Sequence, residues 1–151
     1  MAKIIHKGMW IDIKSLNAED KKNFLASMAF AFLASILLGI HLSIIGILGS
    51  EPMPDGGISE PIILALRITM ILLFVIATYF YKKFYSAQDD FFKSYHNFTI
   101  SAGAYGFLVL GALLTVMSPY FNFNPTFYEF FLAFAIGSVF GGYYFHKKYI
   151  A

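Results

Sequence analysis

Phe24-Leu-Ala-Ser-Met-Ala-Phe-Ala-Phe-Leu-Ala-Ser-Ile-Leu-Leu-Gly-Ile-His-Leu-Ser-Ile-Ile-Gly-Ile-Leu48 runs 25 residues without a single Asp, Glu, Lys or Arg. A bilayer core about 30 Å thick is crossed by roughly 20 apolar residues in helical form. The stretch is therefore long enough to span a membrane, and Asn17 with Asp20 just ahead of it supplies a helix start. Working outward, three further segments meet the same length. Ile62 to Tyr81 is interrupted only by Arg67, Phe98 to Met117 is uncharged, and Phe127 to Phe145 carries only Glu129 in its first turn. Single strands cannot cross lipid, because each unpaired backbone group costs several kcal/mol there. The expected fold is an all-α membrane protein of four transmembrane helices, arranged as two helical hairpins.

Composition agrees. Of the 151 residues, 58% are hydrophobic and 13% charged, against about 25% charged in soluble domains. A compact soluble fold of this size could not bury so much apolar surface. The chain has no cysteine, which excludes disulfides, thiolate metal sites and a cysteine nucleophile. Its formal charge of +2 does not argue for nucleic acid. About twenty polar and amphipathic residues precede the first apolar run, unlike a secretory signal, so that run is expected to stay as an anchor.

The distribution of charge sets an expected orientation. Lys3, Lys7, Lys14, Lys21 and Lys22 precede the first span, Lys82, Lys83 and Lys93 lie between the second and third, and Lys147 and Lys148 follow the fourth. All ten lysines fall on one side of a four-span topology. The other side holds Glu51, Asp55 and Glu60 with no Lys or Arg. Cytoplasmic loops collect Lys and Arg, so both termini and the middle loop are expected in the cytoplasm. The connections at 50–59, 82–97 and 118–125 read as loops, two of them rich in proline. Residues 1–22, with Ile4, Ile5, Trp10 and Ile11 among lysines, read as a cytoplasmic interfacial segment resting on anionic lipid or gripping a neighbouring subunit.

A charge in a membrane helix is expensive and often functional. Arg67 lies about 10 Å inside the outer end of the second span, within snorkelling reach of the headgroups. His41 lies at a comparable depth in the first span, and Glu129 opens the fourth on the same side. With Thr115 from the third span, Arg67, His41 and Glu129 form a candidate polar site for an anionic headgroup, a proton or a quinone-like ligand. The structural alternative is an Arg67–Glu129 pair with His41 hydrogen-bonded between helices. At the opposite surface stand Asp89, Asp90, Phe91, Phe92, Lys93 and His96, a candidate partner contact. His146 is nearby, yet the spacing fits no metal motif, and no metal or cofactor is expected. His96 and His146 sit too near the headgroups for haem. Nucleophile, Walker-type and dinucleotide fingerprints are missing, so no enzymatic activity is expected.

Small residues give a further pattern. The fourth span reads Ala133-x3-Gly137-x3-Gly141, with Ser138-x3-Gly142 beside it. The first reads Ala31-x3-Ser35-x3-Gly39-x3-Ser43, and the third Ala102-x3-Gly106. Such stripes let helices approach closely, either inside one bundle or against another subunit. Aromatic residues crowd the lysine-rich ends of the spans, as interfacial belts do.

The stretch Tyr81-Lys-Lys-Phe-Tyr, then Asp89-Asp90-x-x-Lys93, then Ser101-Ala-Gly-Ala104 resembles a loose group of small bacterial four-helix inner-membrane proteins. That group tends to carry Arg and Glu after the acidic pair, where this chain has Ser94, His96 and Phe98. The resemblance implies topology and no activity. The expectation for function is a non-catalytic accessory or scaffold subunit, with the lipid bilayer and other membrane subunits or a second copy as partners. A small transporter or channel component, or a lipid- or quinone-binding protein, stands behind it.

Overall fold

The computed structural model describes residues 6–7, 10–46, 58–121 and 123–150, with side chains from residue 11 onward. Lys3, Leu48, Glu51 and Asp55 lie outside the described residues, as do the side chains of Lys7 and Trp10. Four long helices make up most of the chain: α1 (Ala18–Ile44), α2 (Glu60–Ala87), α3 (Asp90–Phe121) and α4 (Phe127–Tyr149). The first three are long and apolar enough to cross a membrane. Ahead of them, β1 (His6–Lys7) pairs antiparallel with β2 (Trp10–Ile11). A single 3₁₀ turn follows at Ile13–Ser15, anchored where the Lys14 N–H donates to the Asp12 carboxylate at 3.0 Å. The segment expected over 1–22 thus includes the first turn of α1, which begins at Ala18.

Local chemistry explains each boundary. Asn17 caps α1, its side chain accepting from the Asp20 N–H at 2.8 Å and donating to the Asp20 carboxylate at 2.8 Å. Such a cap is worth about 1 kcal/mol. The helix stops at Ile44, short of Leu48, because Gly46 turns left-handed at φ 75° and the Ile45 N–H closes back on His41. Glycine adopts that conformation without strain, and helices commonly end on it. Thr126 and Glu129 form a reciprocal capping box at the start of α4.

The expected loop at 82–97 is almost entirely helix. Only Gln88 and Asp89 separate α2 from α3, and the Asp89 carboxylate accepts from the Phe92 N–H at 2.8 Å as the cap of α3. Helices of 28 and 32 residues extend about 42 and 48 Å, longer than the roughly 30 Å of hydrocarbon. Lysine-bearing turns can thus stay helical beyond the lipid. At its far end α3 carries Pro119 in its last turn and runs on to Phe121, so the expected turn at 118–125 shortens. The Ser118 hydroxyl closes it by donating to the Phe123 carbonyl.

The chain divides into two compact units, one spanning Leu16–Ala87 and the other running from Gln88 onward together with the N-terminal residues up to Ser15. In the first, α1 and α2 form an antiparallel hairpin. The less exposed positions of α2 include Ile63, Leu66, Met70, Leu73, Ala77, Phe80 and Phe84, spaced alternately by three and four. On α1 the same spacing picks out Asp20, Asn23, Ser27, Phe30, Ala34, Leu37, His41 and Ile44. This is the heptad seam of left-handed helix packing. Phe24 meets Phe84 with ring centroids 5.1 Å apart, and Phe30 stacks on Phe80 at 5.9 Å.

The second hairpin, α3 with α4, is built differently. Gly103, Gly106 and Gly111 on α3 face Ser138, Gly137 and Phe130 on α4. A side chain at Gly106 would lie 2.8 Å from the Gly137 Cα, so the two backbones nearly touch there. Toward the lysine-rich end, Phe145 packs against Phe91, Tyr95 and Phe98 at 5.6, 5.3 and 5.5 Å.

Candidate functional site

The four residues of the expected polar site come from both hairpins. In the first, counting seventeen residues along α1 from Phe24 reaches His41, and seventeen back along α2 from Phe84 reaches Arg67. The Phe24–Phe84 contact therefore sets His41 and Arg67 at one level of the hairpin. They differ in face. His41 lies on the seam, and its Nδ1 is buried with no hydrogen-bond partner among the described residues. Arg67 follows the seam residue Leu66 and is exposed, as a side chain snorkelling along lipid would be.

In the second hairpin local bonds occupy the other two. The Thr115 hydroxyl donates to the Gly111 carbonyl one turn back at 2.9 Å. The Glu129 carboxylate accepts the Thr126 N–H at 2.6 Å and the Thr126 hydroxyl as well. Glu129 thus completes a helix cap. The signal was present in the sequence as Thr126-x-x-Glu129.

The small residues of α4 turn inward, against α3. A side chain at Gly137 would stand 2.5 Å from the Ala102 carbonyl oxygen, and one at Gly141 would strike the Ala102 Cβ. At Gly142 it would meet the Tyr95 hydroxyl at 3.1 Å. Ala133 is buried, and the Ser138 Oγ is buried beside Gly103 with no hydrogen-bond partner among the described residues. The α1 stripe behaves in the opposite way. A Cβ added at Gly39 would meet nothing within 4 Å, and Ser35 is exposed with its hydroxyl bonded back to the Ala31 carbonyl.

Of the acidic and aromatic group opening α3, Asp89 is a cap, Asp90 lies in the first turn, and Phe92 is only 3% exposed. Phe92 stacks on His96 at 6.3 Å, and Phe91 packs on Phe145. The chain itself therefore covers Phe92, while Lys93 stays partly exposed. Among the described residues, no three of His, Asp and Glu gather into a metal-binding group.

Two features escaped the sequence. Aromatic rings and lysines pair at the lysine-rich helix ends: Lys83 Nζ lies 4.8 Å from the Tyr79 ring centre, and Lys148 Nζ lies 5.1 and 5.8 Å from those of Tyr149 and Tyr144. Hydrogen bonding to Tyr149, with the neighbouring Tyr144, holds the Lys148 ammonium above the usual lysine range. The second feature is an open apolar groove of about 440 Å³ along the α3–α4 hairpin, floored by Gly106, Gly137 and Gly141 and walled by Phe98, Tyr105, Phe140 and Tyr144. Its signal was the set of aromatic residues flanking each glycine stripe, at Phe98 and Tyr105 and at Phe140 and Tyr144.

No protein-family model matches the chain, and no curated protein or solved structure matches it either.

Proposed function

We propose that this chain is a non-catalytic subunit that crosses a bacterial inner membrane four times, with both termini cytoplasmic, and holds helices of other subunits in a larger membrane complex. The observation that carries this reading is the contrast between the two small-residue stripes. The one on α4 is filled by α3, whereas Gly39 on α1 has open space where a side chain would stand. Close-approach surfaces drive helix association in lipid, and this one is not filled within its own hairpin.

The fourth span is supported by where α4 keeps its polarity. Gly137, Ser138, Gly141 and Gly142 lower its average apolarity, yet they turn toward α3. Leu132, Val139 and Phe140 are among its exposed residues. At 23 residues it reaches about 35 Å. The lysine distribution supports the orientation. The chain lacks cysteine, so one introduced thiol reports its own side unambiguously. Cysteines placed at Lys14, Ser86 and Ile150 should all resist a membrane-impermeant maleimide in intact cells and react after lysis. Labelling of one or two of them in intact cells would overturn the four-span topology, and labelling of all three would reverse the orientation.

The assembly itself is tested by native mass spectrometry of the protein extracted in mild detergent. Foreign membrane subunits should co-purify, and Gly39→Leu should remove most of them while the chain stays folded. A lone monomer or pure homo-oligomer would sink the accessory reading. A transporter reading stands second, on the buried Nδ1 of His41 level with Arg67. It is weaker because Arg67 is exposed and Glu129 is engaged in its own cap.

A further inference from the structure

The groove on the α3–α4 hairpin has three properties that together specify an occupant. Its lining is almost wholly apolar, and its walls stand open, with Tyr105 70% and Phe140 69% exposed. Its length matches one leaflet: from Phe98 to Leu110, both lining it, α3 rises about 18 Å, against about 15 Å for half the hydrocarbon core. Its charge is confined to one end. Phe98 and Tyr144 stack there at 6.1 Å. One turn past Tyr144 stands Lys148, its ammonium lying against the rings of Tyr144 and Tyr149, with the exposed Lys147 beside it.

We infer that the groove is a binding site for a phospholipid with an anionic headgroup, drawn from the leaflet on the lysine-rich side. One acyl chain lies over the glycine floor between the aromatic walls, and the phosphate rests on Lys147 and Lys148. The walls and floor favour a chain over a helix. Gly106 and Gly137 already meet backbone to backbone, so their close-approach surface is filled, and Tyr105 and Phe140 rise on either side of what remains. A transmembrane helix would also leave the lysines at the end of the groove without a matching charge. The site stands apart from the accessory reading, since it lies on α3 and α4 and does not use Gly39.

The test uses the full-length protein, stripped of lipid in mild detergent and titrated with phosphatidylglycerol or phosphatidylcholine of identical acyl chains, with adducts counted by native mass spectrometry. Phosphatidylglycerol should bind first and survive higher activation. Lys147→Gln with Lys148→Gln should weaken it about tenfold to thirtyfold, since each lysine near an anionic surface contributes a factor of about five. Binding of phosphatidylcholine, whose choline cation offsets its phosphate, should fall less in that variant. Val109→Trp fills the groove from an exposed position off the glycine floor and should weaken both lipids. Equal binding of the two lipids by the unaltered protein would overturn the inference, as would unchanged phosphatidylglycerol binding in either variant. A lipid-free dimer that Val109→Trp dissolves would overturn it too, by giving the groove to a second helix.

Discussion

Replacing Gly137 with leucine should separate α3 from α4, lowering stability by about 3 kcal/mol or more, the upper range for overpacking a well-packed contact. The first added carbon alone would lie 2.5 Å from the Ala102 carbonyl oxygen and 2.9 Å from the Gly106 Cα. Both neighbours are backbone, so a rotamer change cannot make room and the whole helix has to move. In lipid the separated hairpin regains little from burying apolar surface, because lipid tails are as apolar as leucine and close packing is what holds helices together. The same substitution at Gly39 should leave the fold unchanged, since a Cβ there meets nothing within 4 Å. Helical signal followed against denaturing detergent would read both variants. A Gly137→Leu protein that unfolds alongside the unaltered one would show that the Gly106–Gly137 approach does not hold the hairpin.

That pair of glycines also marks what the sequence could and could not convey. The existence of long apolar helices was legible because bilayer thickness fixes their minimum length. Their ends were not, because hydropathy reports contact with lipid and not helical conformation. Lys82, Lys83 and Tyr85 looked like a loop by polarity, yet they continue α2 to Ala87. Lysine is a good helix former once outside the hydrocarbon. At the other extreme the apolar run to Leu48 outlasts α1, which Gly46 ends by its left-handed backbone. Asn17 and Asp20 announced the start of α1 correctly, since a cap is a local event written in three or four residues.

Pairing between helices is the step that local patterns do not encode. Three small-residue stripes were visible, and nothing in their spacing said that those of α3 and α4 would fill each other while Gly39 stayed open. Two residues of the expected polar site have local partners. Thr115 bonds back to Gly111, and Glu129 bonds to Thr126. In apolar surroundings a hydroxyl or carboxylate takes the nearest backbone partner, because an unmatched polar group is expensive there. His41 is the exception, with a ring nitrogen buried on the seam and unmatched among the described residues. A histidine can bury its Nδ1 as an acceptor while the other nitrogen carries the proton. The Asp89-Asp90 pair has a similarly local explanation, because carboxylates at a helix start satisfy its free N–H groups and suit its dipole.

Phe84→Ala should be the most damaging change in the α1–α2 hairpin, with a loss of about 3–5 kcal/mol. Phe84 is fully buried, 0% exposed, and is the largest side chain so enclosed among the described residues. It packs on Phe24 at 5.1 Å and on Tyr81 at 6.2 Å. Its place along α2 raises the effect. Phe84 stands about 36 Å along the helix axis from Glu60, beyond roughly 30 Å of hydrocarbon. A ring deleted from the bilayer interior forfeits only packing contacts, since lipid replaces the protein at equal polarity. Near the headgroups water also gains access, so the transfer term of about 25 cal/mol per Å² of apolar surface returns in addition. Leu73→Ala, on the same seam but deeper in the span, should therefore cost distinctly less. Unfolding of the two variants in bicelles gives the comparison directly. Equal losses would mean that water does not reach the Phe84 end of the hairpin and that the hydrocarbon layer extends past it.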